Sequence, residues 1–414
     1  MEENKIITVA AIGLGDRGWV YTSNMYKKPD KYKILSICEI DKVKADRIGG
    51  ELEVAKENVF YDEDEFFAEK RADLCVISTQ DQQHVDHAIK ALKLGYDLLL
   101  EKPISNKESE CRRLLKAQQK YGGKVFVCHV LRYAPAFVKV KELLTSGVIG
   151  DIVMIDNVEN VNYFHQAHSF VRGNWRRKEE TSPMIIAKCC HDLDLLQWYA
   201  DSRCSTISSI GDLRYFKKEN QPEGAADRCT DCKFKDTCPY SAVRGYLTEK
   251  WWGPTALTNK RPVTDEIILD ALKTGPYGRC VYACDNNVVD NEIVMARFEN
   301  GITANLRMTA FTAGGGRTMK FYGTLGELEF DQDRKFIEVK VFGKPVERIH
   351  TDNLVEGGYG HGGGDNGTVD GIYALMTGQK EGGTTLAASI ESHLMGFAAE
   401  KSRLKGGKVY KIKH

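Results

Sequence analysis

The chain has 414 residues, enough for two domains that each bury a core. Its 42% apolar and 28% charged content is that of a water-soluble globular protein, and 58 basic against 58 acidic side chains leave no field to hold nucleic acid or an anionic membrane. No run of about 18 apolar residues marks a membrane-spanning helix. The N-terminus has no basic region followed by an apolar stretch, so a cytoplasmic protein is expected.

The first predicted strand, 6–12, runs into Gly13-Leu14-Gly15-Asp16-Arg17-Gly18 and then a helix over 16–27. In that context the glycines have separate jobs. Gly13 permits the tight turn, Gly15 lets backbone approach a pyrophosphate, and Gly18 lets helix and strand pack closely. The helix start, with Asp16 and Arg17, offers N–H groups and a positive dipole end to phosphates. Strand 33–38 ends at Glu39, whose carboxylate suits ribose hydroxyls and repels a 2′-phosphate, with Asp41 able to share the contact. NAD is therefore expected over NADP. A helix over 42–53 follows.

Strand 73–78 leads to Thr79 and Gln80, at the carboxyl end where open α/β sheets bind ligands. Helix 82–95 follows, with His84 near its start. Strand 97–101 leads to Glu101-Lys102-Pro103, then come helix 107–121 and strand 124–128. Strands that are continuous apolar runs alternate with helices, which predicts a doubly wound parallel sheet over residues 1–130. Lys102, at a strand end beside the dinucleotide, has the charge to stabilise a developing alkoxide.

After a helix over 134–147 the pattern changes. Long alternating strands are predicted at 151–161, 205–216, 289–299, 302–311, 318–323, 326–331 and 336–342. They suit a large, mostly antiparallel open sheet. Helices are predicted at 190–200, 365–377 and 385–404. Residues 131–414 thus read as an α+β substrate and oligomerisation domain. The polar, cysteine-rich segment 217–286 is an insertion between two of its strands.

Three stretches carry further chemistry. In the helix that begins near Cys190, His191 is a candidate general base, with Asp194 placed to orient its ring. The run 162–176 offers aromatic faces and hydrogen-bond donors for a carbohydrate: Tyr163, His165, Arg172 and Asn174, with His168, Trp175 and Arg176 as the chosen contacts. Around 358–367, glycines allow close approach of a ligand, with His361 and Asp365 as hydroxyl contacts or Asp365 as a helix cap. Cys229, Cys232 and Cys238 form C-x2-C-x5-C, followed by Cys280 and Cys284. Such thiolates suit one structural Zn²⁺, with Cys280, or else Cys284 or a histidine, completing the set of four. The Cys238–Pro239 dipeptide also suits an iron–sulfur cluster, and free packed thiols are the third possibility.

The Gly13–Gly18 turn, Glu39, Glu101-Lys102-Pro103, the run 131–137 and the His191/Asp194 pair together resemble the Gfo/Idh/MocA oxidoreductases, relatives of glucose–fructose oxidoreductase and inositol dehydrogenase. The resemblance implies a Rossmann domain followed by an open antiparallel sheet, and hydride transfer between NAD or NADP and a carbinol carbon of a sugar or cyclitol. It implies that Lys102 meets the reacting hydroxyl and that His84 and Glu101 belong to the cofactor site. It also implies a homodimer or homotetramer. Where many members carry an aspartate four residues before the histidine, this chain has Ala187 followed by Lys188. Lys188 is expected either to keep His191 neutral by repulsion or to touch substrate. That departure leaves room for a redox-assisted, NAD-recycling glycoside hydrolase, or for a dinucleotide sensor without catalysis.

Overall fold

The computed structural model describes residues 5–354, 360–380 and 383–414. Six strands, β1 (Ile7–Ile12), β2 (Tyr32–Cys38), β3 (Val59–Phe60), β4 (Leu74–Ile77), β5 (Asp97–Leu100) and β6 (Val125–Val127), form a parallel sheet in the order β3-β2-β1-β4-β5-β6. The order reverses between β1 and β4, which opens a crevice at their carboxyl ends. β4 is buried at every position, as its unbroken apolar run requires of a strand covered on both faces.

Nine further strands build the second sheet: β7 (Ile152–Asn162), β8 (Cys204–Asp212), β9 (Asn291–Phe298), β10 (Thr303–Thr312), β11 (Gly316–Gly323), β12 (Gly326–Asp331), β13 (Phe336–Val341), β14 (Glu347–His350) and β15 (Tyr410–Lys411). Their order is β14-β13-β12-β11-β7-β10-β9-β8-β15, antiparallel except for the β7–β10 pair. Alternate residues of β9 are buried and exposed, so one face is covered and the other is open. The helices Cys190–Ala200 and Leu386–Arg403 lie on the covered face. The open face carries exposed Met154, Ile293 and Met295.

The helix Gly364–Met376, though late in the chain, packs on the first sheet. Val369, Ile372 and Tyr373 join a core with Ile7, Tyr21 and Ile34, and Tyr32 donates to the Val369 carbonyl at 2.7 Å. The first sheet's core is therefore completed by residues far beyond 130. Among the described residues, no helix is long and apolar enough to cross a membrane.

Candidate active site

β1 ends at Gly13, which has φ +81° and whose N–H donates to the Cys38 carbonyl at 3.0 Å. A Cβ there would lie 2.7 Å from Ser78 backbone, and one at Gly18 would lie 2.1 Å from the Gly13 carbonyl oxygen, so both positions need glycine. Gly15 is different: nothing stands within 4 Å of where its Cβ would be. It opens onto free space at the start of the helix Asp16–Tyr26, which has no side-chain cap. This cradle of free backbone N–H groups fits a dinucleotide pyrophosphate. Asp16 is exposed in the first turn, while Thr79 and Gln80 form the rim after β4.

Glu39 is buried at the end of β2, where it accepts from Leu14 N at 3.0 Å and Asp41 N at 3.2 Å. Its cation is Lys44, 2.7 Å away, whereas Lys42, the nearest basic residue in sequence, lies over the Tyr61 ring. Asp41 caps the next helix through Lys44 N at 3.0 Å and accepts from Asn259 of the insertion at 2.5 Å, so its ribose contact gives way to capping.

Four residues expected at the cofactor or substrate are committed elsewhere. Arg17 turns away from the turn to Glu101 (2.9 Å) and Asp365 (2.7 Å). Glu101 is buried, with Arg17 and Tyr21 on one oxygen and Lys102 N on the other at 2.7 Å, which leaves it shaping the turn that carries Lys102. His84 is buried and ties the carbonyls of Pro103 (2.7 Å) and Thr79 (3.0 Å). Asp194 is gripped by Arg132 through two 2.7 Å bonds, so it does not orient His191.

Lys102 leaves β5 with its Nζ 3.2 Å from the Ala187 carbonyl. His191 is buried and its Nδ1 has no hydrogen-bond partner. Burial holds its pKa well below the ordinary value, aided first by the charge of Lys102 and then by His129, Arg317 and His361. Lys188 is not among those causes. It is paired with Glu159 at 3.2 Å, and Glu159 takes Arg317 at 2.6 Å. Arg317 in turn holds Asp192 at 2.8 and 3.0 Å. Two cations and two carboxylates thus alternate beneath the site. Glu159 and Arg317 stand directly opposite each other on β7 and β11. Burial pushes Glu159 up, but Arg317 and Lys188 outweigh it and hold the carboxyl below its usual range.

A cavity of about 200 Å³ opens over this network, lined by Lys188, His165, Trp252, Asn160 and Gln332. The run 162–176 therefore contributes Asn162 and His165 instead of the three residues chosen from it. His168 is buried against the insertion, bonded to Tyr246 and stacked on Tyr277 at 4.7 Å. Trp175 packs into the core against Phe170, and Arg176 is spent on Asp285 at 2.9 Å. Trp252, half exposed and edge-on to His165 at 4.8 Å, supplies the aromatic face. The Trp251-Trp252 pair in an otherwise polar segment was the available signal. His361 lies with its ring 6.3 Å from that of His191 and its Nδ1 3.2 Å from Asp365. Asp365 lies inside its helix, bound to Arg17, and Gly363 takes the cap position. Gly358 and Tyr359 lie outside the described residues.

The expectation of a structural zinc finds no support. Among the described residues, no three or more His, Cys, Asp or Glu side chains are grouped to hold a single metal ion. Cys229, Cys232, Cys238 and Cys280 are free thiols arranged around a wider cavity.

Residues 7–129 match the family described as oxidoreductase, NAD-binding Rossmann fold, and residues 141–410 match its C-terminal alpha/beta domain. The chain belongs to the Gfo/Idh/MocA oxidoreductase family. It is 24% identical to the putative oxidoreductase YteT of Bacillus subtilis over 73% of this chain and 72% of that protein. It is 24% identical to an inositol 2-dehydrogenase of Rubrobacter xylanophilus over 50% of this chain and 55% of that protein, so it spans about half the length of that relative. A levoglucosan dehydrogenase solved with NADH and levoglucosan shares the Gfo/Idh/MocA fold, with TM-score 0.74 at 16% identity over 99% of this chain and 100% of that one. The chain is thus an oxidoreductase of an NAD-binding family.

Proposed function

We propose that the protein is an NAD-dependent dehydrogenase that moves a hydride between the cofactor and a carbinol carbon of a sugar, sugar derivative or cyclitol. The observation that carries this reading is the buried His191 imidazole, whose Nδ1 has no partner and whose pKa is held down by burial and by the charge of Lys102. The nicotinamide, when bound, supplies the hydride acceptor. His191 then takes the hydroxyl proton, and Lys102 stabilises the negative charge that grows on the oxygen. Trp252 offers its face to ring C–H groups, and Lys188 with Asn160 and Gln332 offers donors to further hydroxyls. The names of the inositol and levoglucosan dehydrogenases support a polyhydroxylated ring as substrate. Glu39 favours NAD over NADP. The exposed Met154, Ile293 and Met295 support a homodimer or homotetramer joined through the open sheet face.

The test is a screen of free sugars and cyclitols with NAD, read as NADH formation. Turnover of any of them at a rate that Lys102→Ala removes supports the reading, and no turnover across the screen overturns it.

One observation favours a second reading. The insertion reaches the adenosine end of the crevice through Asn259 and Asp41, which suits retention of the cofactor. A retained cofactor is what a redox-assisted glycoside hydrolase needs. Stoichiometric NAD released on denaturation, with aglycone freed from glycosides in the absence of added NAD, selects this reading over the first.

A further inference from the structure

The insertion holds a second built site. Cys229, Cys232, Cys238 and Cys280 all line one cavity of about 300 Å³, together with Arg172 and Tyr240. Three features bring the thiols there. The turn Cys229–Asp231 returns the chain so that Cys232 N bonds the Cys229 carbonyl. The Cys238 N–H bonds the Phe234 carbonyl, which closes the second loop. An antiparallel bridge between Arg228 and Arg279 sets Cys229 and Cys280 on adjoining strands of chain.

Arg172 is the independent observation. It is 1% exposed and heads the fully buried large side chains. Its Nε donates to the Arg279 carbonyl at 2.7 Å and one Nη2 bond goes to the Tyr240 carbonyl at 2.6 Å, while Nη1 has no partner. Among the described residues, no carboxylate lies within ion-pair distance of it. A buried guanidinium without a counter-ion is strongly unfavourable, so the cavity calls for an anion. Sulfur already faces this cation: Nη2 donates to Cys229 Sγ at 3.5 Å, and Gln221 donates to Cys280 Sγ at 3.8 Å.

A single tetrahedral zinc, with Zn–S bonds of about 2.3 Å, would draw four sulfurs into one tight group. The thiols are not so grouped. A four-iron cluster sets its thiolates further apart, fills the space between them, and carries net negative charge. We propose that Cys229, Cys232, Cys238 and Cys280 ligate a [4Fe–4S] cluster whose charge is balanced by Arg172. The bonds from Arg172 and Gln221 to sulfur are then the contacts that tune such a cluster. Ligation releases the four thiol protons, and iron and sulfide come from the cell's cluster-assembly supply.

The test is to express the full chain with iron supplement, purify it without oxygen, and measure iron, zinc and acid-labile sulfide per chain with the visible absorption. About four iron and four sulfide with a brown chromophore are expected. Cys238→Ser is expected to lose most of that iron, while Cys284→Ser, outside the ligand set, keeps it. Zinc without sulfide, or no metal even after anaerobic reconstitution with iron and sulfide, overturns the proposal. The wild-type metal content decides the matter even where a cysteine variant does not fold.

Discussion

Arg317 holds Asp192 by two hydrogen bonds, at 2.8 and 3.0 Å, and spends its remaining reach on Glu159. One guanidinium therefore keeps two buried carboxylates apart in charge, and the pair Lys188–Glu159 hangs from it. Replacing Arg317 by Gln leaves Asp192 without its cation and Glu159 with Lys188 alone. Loss of a buried partner of this kind costs about 3–5 kcal/mol. Urea unfolding of Arg317→Gln should show a loss of that order, and a variant as stable as wild type would mean that the network is dispensable.

His191→Asn should lower kcat by about 10²–10⁴-fold, the usual contribution of a positioned proton acceptor. Its depressed pKa sets the sign of the pH profile. The neutral form is the active one, so activity should hold from neutrality down past the usual histidine value of about 6.5, then fall as the imidazole is finally protonated. A midpoint above that value in kcat/KM would place the base elsewhere.

Lys102→Ala should abolish turnover while NADH affinity, read by fluorescence titration, stays within a few fold of wild type. Both its N–H, held by Glu101, and its backbone position survive the change. Near-wild-type turnover would remove Lys102 from the chemistry.

Glu39→Ala should shift the ratio of kcat/KM for NAD over NADP toward NADP by at least tenfold, because the carboxylate goes while Lys44 remains. An unchanged ratio would show that discrimination lies outside this strand end.

The buried histidines predict acid sensitivity of the fold. Burial, then Arg172, pulls His168 down to about 4, and burial, then His129, pulls His393 to about 3. Their folded-state values lie below the unfolded value of about 6.5. The unfolded chain thus binds the extra protons, and stability is complete above that value and is lost as pH falls toward 4 and 3. The thermal midpoint should drop across that window, and His168→Gln should flatten part of the slope.

What could be read from the residues followed from periodicity and from motifs. β4 is an unbroken apolar run and β9 alternates, so each declared its sheet. The glycine turn and Lys102 sit in a fixed local context that names their surroundings. β3 is two residues long and escapes any period. The choice among His165, His168 and Trp175 was closed to sequence because all three are plausible sugar contacts and only packing decides which face the cavity. The Glu159–Arg317 pairing depends on the register of β7 against β11, which no local pattern states. Even so, polar Asn157 and Glu159 on the buried face of β7, between Ile155 and Val161, were a visible irregularity.

The helix Gly364–Met376 has a consequence for how the molecule comes into being. Arg17 finds Asp365 across 348 residues of chain. A domain that emerges first from the ribosome normally folds first. Here the nucleotide-binding half leaves the tunnel with Ile7, Tyr21 and Ile34 still lacking Val369, Ile372 and Tyr373. Translation through Tyr373 precedes a finished first sheet. A fragment cut near residue 130 should expose that seam and bind a hydrophobic dye or a chaperone, whereas a circular permutant that brings the late helix to the front should close the first half early.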